Sequence, residues 1–323
     1  MMVVFLLTFS WILLTPSLAL AWGPITHLSY GVEILNNLPM LIHPLQELLR
    51  TFPNDFLYGC IAADITLKKD AVDYLYNCHN WDVGLHILEK AKTRKQKAFA
   101  YGYLSHLAAD TISHNYFVPY HITASFPTKT LKHVYWELRF DATRDKKFWK
   151  MAKHLAKTYH KSTHDELLKG LLKRTLFSFR TNKFIFNSLM HLEHSESWRK
   201  LVSSVSKKST WKLPPQDIKE FHSLAVTAMI DFLNHGKKSK FYRIDPSGKA
   251  ALMKAKKLRK QLKKTHKHQT KKEIETKLFV IKESFKRALF ANIGHPLLSS
   301  STCTEAAPLK NAEKQNPIEH RAL

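Results

Sequence analysis

Glycine is scarce in this sequence, with 9 among 323 residues. So few turn residues argue against architectures built from many short strands and tight hairpins, and no convincing alternation of apolar and polar positions marks a strand. Cysteine is scarcer still. Cys60, Cys78 and Cys303 cannot all pair within the chain, and they show no CxxC spacing for a thiolate zinc finger or a thioredoxin-like redox site. Cys60 and Cys78 could bridge in an oxidising compartment, and a buried thiol at Cys60 is the equal alternative. Acids are in short supply too, 26 against 51 Lys and Arg, for a formal charge of +25. After the first 21 residues no segment is long and apolar enough to span a bilayer.

What is present begins with that N-terminal segment. Val3–Leu14 is a continuous apolar run, followed by the polar break Thr15-Pro16-Ser17 and by Ala19-Leu20-Ala21, a small-x-small pattern of the kind that precedes signal-peptidase cleavage. Residues 1–21 therefore read as a signal peptide, with an uncleaved anchor as the rival. The mature chain would start at Trp22 and be secreted or periplasmic.

Hydrophobic content of 44% permits a sizeable core. Apolar residues recur at helical intervals over Ser29–Leu38, Phe56–Asp64, Lys97–Tyr116 and Thr130–Arg144, then over about 147–160, 164–180, 183–202 and 216–234. The expected fold is all-α, a multi-helix, bundle-like domain over 22–235, with packing helices in its second half.

Within Lys97–Tyr116, steps of four place His106, Asp110 and His114 on one face, among Leu104, Leu107, Ala108 and Ile112. A lone histidine there is most often a core residue satisfied by a neighbour. Three aligned ligand types in an apolar setting instead call for a cation to offset the cost of burying them. His133 and Glu137 repeat the step of four on a second helix, and facing helices can direct ligands into the space between them. His27, Asp64 and His79 are further candidates, each weak alone. Nitrogen and carboxylate ligands without thiolate suit Zn²⁺.

In this order, Trp22-Gly-Pro-Ile-Thr-His27, Asp64, His79, His106-x3-Asp110, His114 and His133-x3-Glu137 resemble the zinc-dependent phospholipase C family over about 22–145. The resemblance implies an all-helical domain enclosing three zinc ions. It implies that Asp64, His79, His106 and Asp110 hold one ion, that Trp22 (through its terminal amine and carbonyl), His27 and Asp110 hold a second with Asp110 bridging, and that His114, His133 and Glu137 hold a third. The step from Asp110 to His114 is shorter than in the best-known members, which keeps His121 as a rival to His114. Ala63 stands before Asp64 where many relatives carry proline. The implied reaction is hydrolysis of a phospholipid to diacylglycerol and a phosphorylated head group, with Asp64 as the base that takes a proton from water. Two other readings keep the metals: an S1/P1-type zinc nuclease, and a non-catalytic zinc-stabilised binding or structural protein.

Composition shifts after Gly236. Residues 237–290 hold 19 Lys or Arg against Asp245, Glu273, Glu275 and Glu283, and so carry +15 of the +25. Leu252, Ala255, Leu258 and Leu262, then Ile274, Leu278, Ile281, Phe285 and Leu289, recur at helical spacing between the lysines. A basic amphipathic helical extension over 236–298 is expected, followed by a flexible tail over 299–323. Its basic side is either the solvated face of docked helices or a surface for anionic membrane or nucleic acid.

Overall fold

The computed structural model describes residues 23–65, 78–128, 133–159, 163–171, 179–193 and 213–293. Trp22, the expected signal peptide and the expected tail lie outside these. Among the described residues every regular element is helical. The elements are α1 (Pro24–Asn36), α2 (His43–Thr51), α3 (Pro53–Ala62), α4 (Trp81–Lys90), α5 (Arg94–Ile112), α6 (Val118–Ala124), α7 (His133–Asp141), α8 (Lys146–Thr158), α9 (His164–Leu171), α10 (Phe179–Glu193), α11 (Pro215–His235), α12 (Lys249–Thr265) and α13 (Lys271–Asn292). No described helix is long and apolar enough to cross a membrane.

The central element is α5. Thr93 opens it with a capping box, its hydroxyl accepting from the Gln96 amide while the Gln96 side chain returns to the Thr93 amide. From Ala98 to Ile112 nearly every side chain is buried, because α3, α4 and α11 pack around it. A helix enclosed on all sides tolerates polar residues only where they satisfy one another. Its crossing with α3 is unusually close. A Cβ on Gly102 would stand 2.0 Å from the Phe56 carbonyl oxygen, and one on Gly59 would stand 2.1 Å from that of Phe99. Only glycine on both helices permits this approach.

Beyond Ile112 the helix does not continue as a regular α-helix. Ser113–Phe117 forms a π turn, and Pro119 lies early in α6, where its missing N–H costs little. The basic helices α12 and α13 lie against α6 and this π turn. Their inward residues, Ala255, Leu262, Phe285 and Leu289, are buried. Cys60 and Cys78 are buried thiols with no disulfide between them.

Candidate metal centre

Four separate elements deliver the buried polar residues. His27 lies one turn into α1, Asp64 on the 3₁₀ turn Ala63–Ile65 that ends α3, His79 on the turn before α4, and His106 with Asp110 on α5. The His79 turn is tied down from both sides. The Tyr103 hydroxyl donates to the Cys78 carbonyl at 2.6 Å, and Asn80 caps α4 by accepting from the Asp82 amide at 3.0 Å.

These side chains converge on Asp110. Its Oδ1 faces His27 Nε2 at 3.2 Å, while its Oδ2 faces His79 Nε2 at 3.0 Å and His106 Nε2 at 3.1 Å. Asp64 Oδ1 stands 3.4 Å from His79 Nε2 and 3.8 Å from His106 Nε2. The two imidazole nitrogens of His79 and His106 are 3.0 Å apart. His27 and His106 stack with centroids 3.7 Å apart, and the His114 ring lies 5.9 Å from that of His79. Two groups emerge whose ligand atoms all lie within 4.8 Å of one another: His27, His106 and Asp110, and Asp64, His79 and His106.

The protonation states follow from the second contacts. A backbone carbonyl can only accept, so His106 Nδ1, 2.8 Å from the Cys60 carbonyl, carries the proton. Its Nε2 then presents a lone pair to the cluster when the ring is neutral. His114 is fixed in the same tautomer, with Nδ1 donating to the Pro246 carbonyl. Burial, with the His106 ring second, lowers His27 to about 4, so it is a neutral imidazole at pH 7. For Asp110, burial pushes the carboxyl up. The positive charge of the His106, His114, His27 and His79 rings in their protonated form outweighs that and draws it well below the usual carboxylate range.

Zinc fits this donor set. Ligand atoms about 2.0–2.2 Å from one tetrahedral ion stand about 3.3–3.6 Å from each other. The separations from Asp64 and Asp110 to the imidazoles, 3.0–3.8 Å, bracket that edge. A shared cation also resolves the approach of the two imidazole nitrogens and the burial of two carboxylates.

Of the remaining candidates, Glu137 is buried on α7. His133 opens the same helix, and its side chain lies outside the described set. His121, the rival to His114, is buried among aromatic rings. Its ring stacks on Trp136 at 4.4 Å and meets Phe117 edge-on at 4.6 Å. Burial, helped by the charges of Lys282 and Arg139, lowers it to about 3.

Two contributors escaped the reading of the sequence. Asp141 continues the step of four from His133 and Glu137, a signal that was there to be read. Its carboxylate accepts from the amides of Ile25 at 3.3 Å and Thr26 at 3.0 Å, capping α1 from another helix and fixing the first turn that carries His27. Burial raises its pKa to about 7, against the pull of those Thr26 and Ile25 hydrogen bonds. The other is the segment 244–248, whose carbonyls leave no mark in a sequence. Pro246 accepts from His114, Asp245 accepts from the Asn115 amide at 2.8 Å, and Ile244 accepts from Trp81 Nε1 at 2.8 Å.

Buried imidazoles and carboxylates at metal-ligand spacing among the described helices define a candidate metal centre. Residues 26–186 match the model of the zinc dependent phospholipase C family. The chain belongs to that family of zinc-dependent phospholipase C hydrolases. Comparisons with curated proteins and with solved structures found no match.

Proposed function

We propose that this chain is an exported phospholipase C-type phosphodiesterase, hydrolysing a phospholipid to diacylglycerol and a phosphorylated head group. The observation that supports it most is the convergence of His27, Asp64, His79, His106 and Asp110, with Asp110 facing two ligand groups through its two oxygens. Zinc bound there supplies positive charge toward a phosphodiester's oxygens and acidity to a nearby water. Asp110 faces His27 through one oxygen and His79 and His106 through the other, and His106 is common to both groups. Asp64 meets His79 and His106 through Oδ1, and it is the residue assigned to accept a proton from water. His106 and His114 keep their Nε2 lone pairs inward because backbone carbonyls hold their Nδ1 protons.

Cleavage after Ala21 would free the Trp22 amine as a further ligand, next to an α1 start that Asp141 already anchors. His114, His133 and Glu137 would complete a third set. The test is to load the mature protein with zinc and measure release of phosphorylated head group from phosphatidylcholine, with single-stranded DNA as the alternative substrate. Chelator-sensitive release from lipid supports the proposal. Zinc retention with no turnover of lipid overturns it, and turnover of DNA alone reassigns the substrate to nucleic acid.

A further inference from the structure

We infer that the solvent sides of α12 and α13 form a docking surface for anionic lipid bilayers. Among the described residues six large apolar side chains stand exposed, and three of them sit on these two helices: Met253 at 62%, Phe279 at 65% and Val280 at 53%. The apolar stripes that the sequence predicts for burial are already used, through Ala255, Leu262, Phe285 and Leu289. By helical spacing Met253 and Val280 lie opposite these buried positions and Phe279 lies on the flank of α13 beside Val280. Steps of four, seven and eleven from Met253 lead to Lys257, Lys260 and Lys264, all exposed and on the same face. On α13, Val280 lies between Lys272 and Arg287, also exposed.

Charge selects the occupant. Helix α12 has no acidic residue, and the acids of α13 are Glu273, Glu275 and Glu283. Basic residues are drawn to an anionic lipid surface, and their stems bury beside apolar neighbours while the ammonium stays in water. Interspersed apolar side chains then enter the acyl boundary. Nucleic acid fits less well. Lysine far outnumbers arginine here, and Arg259 is already bonded to the Thr128 carbonyl. The surface serves the lipid substrate of the proposed function, and binding can be read without any hydrolysis.

The full mature chain is sedimented with sucrose-loaded vesicles of phosphatidylcholine alone or with phosphatidylglycerol, across a salt series. Wild type should partition onto the anionic vesicles and release as salt rises. The combined variant Met253→Ser, Phe279→Ser, Val280→Ser should bind about tenfold more weakly or worse, with unchanged hydrolysis of a water-soluble phosphodiester. Charge reversal by Lys257→Glu, Lys260→Glu and Lys264→Glu should abolish the salt-sensitive part. Equal partition of the serine variant and wild type overturns the inference. So does tight binding of single-stranded oligonucleotide with no vesicle partition. Vesicle binding without hydrolysis of any phosphodiester leaves the docking surface standing and removes the proposed function instead.

Discussion

His114 and His121 are both buried histidines with a free choice of role as far as residue type goes, and their surroundings separate them. His114 presents Nδ1 to a carbonyl and its ring to the His79–Asp110 cluster, whereas His121 is walled by Trp136 and Phe117. His121→Phe should therefore keep its zinc, and His106→Ala should lose it, as measured by elemental analysis after gel filtration. Loss of zinc in His121→Phe would return that residue to the ligand set. The same burial predicts a pH effect. His121 titrates at about 3 when folded and near 6.5 when unfolded, so between those values the unfolded chain binds the extra proton. Stability then rises with pH across the window and is fully present above about 6.5. Urea unfolding at pH 7, 6 and 5 should show wild type losing up to about 1.4 kcal/mol per unit from this group, a share of the slope absent in His121→Phe.

At the scale of elements, the α3–α5 crossing positions the site. It brings the Cys60 carbonyl to His106 Nδ1 and sets the 3₁₀ turn after α3 that carries Asp64. A methyl group at Gly102 meets backbone rather than a movable side chain. Gly102→Ala should cost about 3 kcal/mol or more in chemical denaturation and weaken zinc binding with it. At the other end of α5, Gly248 has φ +58° and would place a Cβ 2.3 Å from the His114 carbonyl oxygen. Gly248→Ala should displace His114 and reduce zinc per chain more than it reduces helix content, read by elemental analysis beside far-ultraviolet circular dichroism.

How much of this the sequence carried depends on the kind of contact. That His106 and Asp110 share a face was legible, because one helix fixes both by spacing alone. His79 was not legible in that way. It sits on a turn whose position depends on Tyr103 reaching the Cys78 carbonyl, and only the ordered set of residues as a whole singled it out. The start of α1 at Pro24 rather than Ser29 has a similar cause, since its cap comes from Asp141 more than a hundred residues away. The π turn at Ser113–Phe117 carries no spacing signal, because side-chain periodicity barely changes over five residues.

For the molecule as a whole, metal held by the buried cluster would couple to folding. Four imidazoles and two carboxylates meet where α1, α3, α4 and α5 converge, so a ligand that binds only the folded chain stabilises all of them together. Chelation should lower the midpoint of thermal unfolding by several degrees, and added zinc should restore it. The segment 244–248 and helices α11–α13 lie beyond the matched residues 26–186, yet they close over His114. Truncation before Ile244 should accordingly weaken zinc retention even where the matched residues are intact.

The most direct test of the metal centre is zinc content per chain in the purified protein, compared between wild type and Asp110→Asn after exchange into metal-free buffer. Stoichiometric zinc in wild type, sharply reduced in Asp110→Asn with helical content preserved, is the predicted result. A folded wild-type protein that holds no zinc, or an Asp110→Asn variant that holds as much as wild type, would contradict it.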